Sequence, residues 1–212
     1  MNPLSYEPIF SKLAFYLETP KDLYKLVKTC KDLYKIGMLP NYKAQLYDFE
    51  VNKACENGDL PVIIWLHNNK YEFTTYAMNF SAKNGHLKVI KWLHQNRKEG
   101  CNTNAMDWAA WKGNLKVVQW LHKNRQEGCT KHAMNWASHK GHLEVIKWLH
   151  ENRHEGCTIV AMNLAAKNGH LEVVQWLHKN RNEGCTTFAM DAAAKNGHQK
   201  VIQYLKEHNL AV

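Results

Sequence analysis

The segment "HEGCTIVAMNLAAKNGHLEVVQWLHKNR", His154 to Arg181, decides the fold, because the chain writes it repeatedly and without a gap. "QEGCTKHAMNWASHKGHLEVIKWLHENR" fills 126–153 and "KEGCNTNAMDWAAWKGNLKVVQWLHKNR" fills 98–125, each unit being 28 residues long. An earlier copy occupies 70–97 and a last one 182–212. A more degenerate copy, with "CENGDLPVIIWLHNN" at Cys55 to Asn69, stands one residue out of step ahead of them. Six units are therefore expected, at 41–69, 70–97, 98–125, 126–153, 154–181 and 182–212. Self-similarity at a fixed period of this size marks stacked supersecondary units.

Each unit reads as a helix hairpin. Thr130, Thr158 and Thr186 are placed to cap a first helix, since a hydroxyl can accept from its unpaired N–H groups. That helix carries Ala-Met and further small residues. Gly85, Gly113, Gly141, Gly169 and Gly197 stop it, because glycine enters the left-handed region without steric cost. In the second helix, His170 to Arg181, Leu171, Val174 and Leu177 form one stripe that Val173 and Trp176 widen. One hairpin cannot cover so broad an apolar face, so neighbours must stack into a solenoid.

These residues carry a family resemblance. "NGHLEVVQWL" after a small-residue helix resembles the ankyrin repeat, whose pattern places Gly-His-Leu-Glu-Val-Val at the turn into the second helix, and the resemblance covers about four fifths of the chain. It implies an all-α, ankyrin-type helix-hairpin solenoid that binds other proteins. Two departures matter. The unit is shorter than the usual repeat of about 33 residues, and the loss falls after the second helix, where ankyrin repeats carry an extended finger. The usual Thr-Pro-Leu-His opening is also replaced, by Tyr76-Ala77-Met78-Asn79 and its equivalents. Short or absent β-hairpin fingers follow, similar to the compact ankyrin-like proteins of large DNA viruses of amoebae. In the last copy Gln199 replaces leucine and Tyr204 replaces tryptophan, the polar outer surface that a solenoid end requires.

Residues 1–40 lack the repeat and read as an N-terminal helical module. Ile9, Leu13, Tyr16 and Leu17 share one helical face, and Leu23, Leu26 and Val27 the next. The pattern resembles an F-box, the module that joins a substrate-binding domain to the adaptor of a cullin ubiquitin ligase. Its resembling residues are Leu4, Glu7, Ile9, Phe10, Tyr16 and Leu17, then Asp22-Leu23, Leu26 and Cys30-Lys31. The Leu-Pro opening is absent, with the proline moved to Pro3, and no tryptophan closes the motif. The resemblance implies an adaptor-facing apolar surface of Leu4, Ile9, Phe10, Leu13, Leu17, Leu23 and Leu26, seated as a helix in a groove. The alternative is a helical cap over the first repeat.

Composition narrows the function classes. An apolar fraction of 45% suits a folded chain. The formal charge of +9, from 28 Lys and Arg against 19 Asp and Glu, points to an anionic partner. The charge is scattered, which argues against nucleic acid. The N-terminus has no basic leader followed by an apolar core, and no stretch approaches the roughly 20 apolar residues that span a bilayer. A soluble monomer in the cytoplasm is expected, in the host cytoplasm if the chain is viral.

The repeated Cys and His do not converge as a site. Each unit sets a His seven residues before its Cys, as in His122 and Cys129, whereas zinc ligands come in short pairs and four must meet. Equivalent residues on neighbouring helices lie about 10 Å apart, too far for the roughly 7 Å that a disulfide tolerates. The cysteines read as small buried residues, and no metal, cofactor or catalytic residue is expected. The Asn-Arg pairs, each Arg two residues before a Glu, read as a ladder of side chains bonding to the next unit's link. The alternative is a phosphate-binding edge, which with Lys83, Lys167 and Lys195 would serve a nucleic-acid or phosphate binder.

What differs between copies is more informative. Three series vary: Tyr76, Asn104, His132, Val160 and Phe188; Phe80, Trp108, Trp136, Leu164 and Ala192; Lys83, Trp111, His139, Lys167 and Lys195. Spacings of four and three set them along one face of the first helix. In ankyrin-like stacks the first helices line the concave side, so this stripe resembles a recognition groove. Its aromatic centre in a basic surround suits a protein target. The middle series is equally compatible with the core.

Overall fold

The structure is a computed structural model that describes residues 51–210. After a helical stretch at 51–57, eleven helices run through these residues: α1 Leu60–Asn68, α2 Thr75–Lys83, α3 Leu87–Asn96, α4 Asn104–Trp111, α5 Leu115–Asn124, α6 Lys131–Lys140, α7 Leu143–Asn152, α8 Ile159–Lys167, α9 Leu171–Asn180, α10 Thr187–Lys195 and α11 Gln199–Glu207. Among the described residues there is no strand. Ile9, Phe10 and the other F-box-like positions lie outside the described residues.

Each first helix (α2, α4, α6, α8, α10) packs against the second helix that follows it, and the most extensive contacts run between successive first helices. The cause is in the sequence. Ala133 and Ala137 on α6, and Ala161, Ala165 and Ala166 on α8, are fully or nearly fully buried, and small side chains let helices come close. Second helices supply the larger apolar groups: Val145, Ile146 and Leu149 of α7 are buried. Ser138, buried where the four other first helices have alanine, donates to its own helix at Met134 O, 2.7 Å, so its hydroxyl is not left unpaired.

The turn between helices has one geometry throughout. At the end of α6, His142 N donates to Ala137 O (3.0 Å) and Gly141 N to Ser138 O (3.2 Å), the two bonds of a Schellman motif. Gly141 sits at φ 77°. His142 follows at φ −81° and ψ 69°, an inverse γ-turn closed by Leu143 N to Gly141 O at 2.9 Å. A second demand falls on the same glycine, since a Cβ there would lie 2.7 Å from His170 Nδ1 of the next unit.

At the other end, the Asn152 side chain caps its own helix by donating to Trp148 O, 2.9 Å. Arg153 then leaves in extended conformation. The link Arg153–Thr158 is too short to build a finger and is filled by side-chain bonds to both neighbours.

The threonine caps are found at Thr130, whose Oγ1 accepts from His132 N (3.1 Å), and at Thr158, which accepts from Val160 N (3.2 Å). Thr186 differs: its hydroxyl makes no cap bond, although like Thr158 it accepts from an asparagine of the preceding first helix, Asn163 Nδ2 at 3.0 Å.

Candidate functional site

Three ladders tie unit to unit. In the first, a buried Asn or Asp of one first helix holds the start of the next. Asp107 accepts from Thr130 N (2.8 Å) and Oγ1 (2.7 Å). Asn135 accepts from Thr158 N and donates to its hydroxyl, both at 3.0 Å, and Asn163 treats Thr186 alike.

The second ladder uses the histidine after each glycine. His170 Nε2 donates to His139 O (3.1 Å) and His198 Nε2 to Lys167 O (3.1 Å). A carbonyl only accepts, so Nε2 carries the proton. Asn114 takes the same place in its unit, donating to Lys83 O at 2.8 Å.

The third ladder joins the arginines to the links. Arg125 pairs through two nitrogens with Glu127, Nε to Oε2 being 3.2 Å, and reaches His94 of the preceding unit. Arg153 meets Glu155 and His122 in the same way, and Arg181 meets Glu183 and His150. The partner histidines lie edge-on to the next unit's tryptophan, as in His122–Trp148 at 5.2 Å. The expected side-chain ladder is present, and it reaches backward as well as forward. The asparagines of the Asn-Arg pairs cap their own helices instead.

A second glycine series, Gly100, Gly128, Gly156 and Gly184, belongs to this ladder and was not singled out by sequence reasoning. A Cβ on Gly128 would fall 2.5 Å from Arg153 Nη2. The fixed "EGC" after every Arg was the available sign. In the unit that lacks it, Phe73 stands at the cysteine position and Arg97 lies over its ring at 4.4 Å.

Among the described residues the cysteines form no disulfide, and Cys55, Cys101, Cys129 and Cys157 are buried. Burial pushes the Cys129 thiol up to about 12 and those of Cys101 and Cys157 to about 11, so they stay protonated and poorly nucleophilic. Among the described residues no three of His, Cys, Asp or Glu come together to hold a metal ion.

The first and third variable series face solvent at least in part. Tyr76, His132, Val160 and Phe188 are exposed, whereas Asn104 is half-buried. Phe80, Trp108, Trp136 and Leu164 are half-buried and Ala192 buried, so the middle series is shared between surface and core. Lys83, Trp111 and His139 are half-buried, Lys167 and Lys195 exposed.

Side chains of these series touch one another. Tyr76 stacks on Phe80 (5.9 Å), Phe80 tilts against Trp108 (5.6 Å), and His132 stacks on Trp136 (4.7 Å). Three ammonium groups surround the Trp111 ring: Lys83 at 5.8 Å, Lys112 at 4.9 Å and Lys140 at 5.9 Å. His139 Nδ1 accepts from Asn168 Nδ2 at 3.0 Å. Burial first, then the charges of Lys140 and Lys167, hold His139 below the usual histidine range.

A family model, ankyrin repeats (3 copies), matches residues 51–135, 108–181 and 134–212. The chain belongs to the ankyrin-repeat family, a protein–protein interaction scaffold whose members are typically non-catalytic. Among solved structures it is similar to the crystal structure of EF0377, an ankyrin repeat protein, with a TM-score of 0.52 and 17% identity over 74% of this chain and 96% of that one. That likeness shows the fold alone. No curated protein matches the chain. Among the described residues, no helix is long and apolar enough to cross a membrane.

Proposed function

We propose that the array binds a target protein on its first-helix face, and that residues 1–40 act as an F-box that delivers this target to a cullin-type ubiquitin ligase in the cytoplasm. One observation carries the first part. The exposed large apolar side chains found among the described residues are Tyr76 (46%), Ile159 (43%), Val160 (42%) and Phe188 (47%), and all four stand in the first turns of first helices. Apolar groups gathered on one face, with aromatic neighbours, suit a protein interface. The closer packing of first helices than of second helices supports reading this face as the concave one.

The test is affinity recovery with the full chain, comparing wild type with the combined Tyr76→Ser, Val160→Ser and Phe188→Ser variant. A target held only by the wild type, at equal thermal stability, is the expected outcome. Equal recovery by both would place the binding surface elsewhere. The delivery step rests on the F-box resemblance, and an Ile9→Asp, Phe10→Asp variant is expected to lose the ligase adaptor while keeping the target. Absence of adaptor binding by the wild type would leave a plain ankyrin adaptor whose N-terminus is a cap, and retention by the variant would overturn the assigned contact residues.

A further inference from the structure

Every complete unit sets one lysine at the end of its first helix or just after it, although the position is not fixed. Lys83, Lys167 and Lys195 hold one place in the repeat. Where that place is taken by Trp111 and His139, the next residue is Lys112 and Lys140. Equivalent to those two lysines are Asn84, Asn168 and Asn196, whose side chains donate to helix-end carbonyls at Phe80, Leu164 and Lys167. Two units thus give up a capping asparagine and keep the cation.

The resulting row carries uncompensated charge. Among the described residues, none of the five lysines forms an ion pair, whereas the four arginines are each paired with a glutamate. On the first helices the acidic residues are Asp107, which is buried, and Asp191. Among the second helices, α7, α9 and α11 mix both signs, with Glu144 paired to Lys147 at 2.9 Å, whereas α3 and α5 carry lysine without an acidic residue. Around Trp111, three ammonium groups are held together without a carboxylate, so an arriving anion relieves repulsion as well as gaining attraction.

The apolar row and the lysine row run side by side. Tyr76 and Lys83 are seven residues apart on one helix, roughly 10 Å at 1.5 Å per residue. Successive units are also about 10 Å apart, the reach of about three residues of extended chain. Building on the reading of this face as a protein-binding surface, we infer that its ligand is an acidic polypeptide segment. Its carboxylates, spaced about three residues apart, meet Lys83, Lys112, Lys140, Lys167 and Lys195, and its apolar side chains cover Tyr76, Val160 and Phe188. A nucleic acid fits less well. Stacking a base needs an open ring face, and here Tyr76 lies on Phe80, His132 on Trp136, and lysines over Trp111. The arginine forks that grip phosphate are already bonded to glutamates.

A cation in the last helical turn also complements the helix dipole, and that role acts on stability and not on a ligand. The experiment separates the two. The full-length protein is titrated with three labelled probes: a peptide of twelve residues with Glu at every third place and Leu and Phe between, its Glu→Gln counterpart, and a single-stranded oligonucleotide of matching charge. Saturable binding of the acidic peptide is expected, about tenfold or more tighter than the neutral one and weakened by salt. The Lys83→Gln, Lys112→Gln, Lys140→Gln variant is expected to lose about tenfold in affinity for it. No saturable binding of the acidic peptide overturns the inference, as does an unchanged affinity in the lysine variant or tighter binding of the oligonucleotide. Equal binding of both peptides that is lost in the Tyr76→Ser, Val160→Ser, Phe188→Ser variant overturns the acidic ligand while leaving the protein-binding reading intact. Binding that survives both variants overturns both.

Discussion

Two carboxylates in adjacent repeats respond to pH in opposite senses. Burial is the largest influence on Asp107 and raises its pKa, outweighing the Thr130 bonds and the nearby His132 that lower it. With the folded value above the unfolded one, the folded chain keeps a proton that the unfolded chain has released, so stability falls as pH rises between them and stays lower at neutral pH. The asparagines at 79, 135 and 163 show the uncharged solution. Asp107→Asn is expected to raise the melting temperature at pH 7 by about 2–4 °C, equivalent to about 1 kcal/mol, with the gain vanishing below about pH 3. At Glu127, burial also raises the pKa, but the Arg125 bond and charge and the backbone N–H groups together bring it below the usual range. Its stabilisation is therefore present above the unfolded carboxylate pKa and is lost as pH falls through the folded value. Glu127→Gln is expected to cost about 1–2 kcal/mol at pH 7 and nothing in acid, read by the same melting series. The raised thiols predict a third outcome. Site-resolved alkylation at pH 8 should spare Cys101, Cys129 and Cys157 in the native protein and modify all three in denaturant.

At the scale of the element, the helix hairpin was legible because glycine, alanine and the apolar stripe each act within a few residues. The ladders were legible only in part. A fixed Arg-x-Glu-Gly shows that a demand exists, but the His94 and Gly100 that Arg125 touches lie 31 and 25 positions earlier in the chain, a distance that local pattern does not cross. The lysine row was half hidden for a different reason: comparison position by position separates Lys112 from Lys83, although both cations reach the same indole. Glycine itself offers a clean dissection of these levels. Gly141 and Gly197 have nearly equal φ, 77° and 75°, yet only Gly141 has a neighbouring ring where a Cβ would sit, with nothing within 4 Å of Gly197. Alanine at Gly197 is expected to cost about 1 kcal/mol for the backbone alone, and alanine at Gly141 about 1–3 kcal/mol more from the displaced His170. Chemical denaturation of the two variants reads the difference, and equal losses would mean that the His170 ladder yields freely.

For the repeat array as a whole, the decisive feature is that each helix packs on its partner and on the adjacent units. Stability in such a stack is a sum of unit terms and nearest-neighbour interfaces, so damage should remain local. Leu149 of α7, 2% exposed, is the position at which to test this. Leu149→Ala removes a buried branched side chain and leaves a cavity, a loss of about 2–5 kcal/mol. If the array behaves as coupled neighbours, native-state hydrogen exchange will quicken in α4 to α9 and leave α2 and α3 close to their original protection. Equal acceleration in every helix would instead define one cooperative unit. The answer bears on binding, because the first-helix face draws its apolar and lysine rows from five units. A locally opened centre would remove Trp136 and Lys140 from the row while Tyr76 and Lys83 stayed in place. Leu149→Ala should then weaken a ligand that spans the face and spare one that touches only α2.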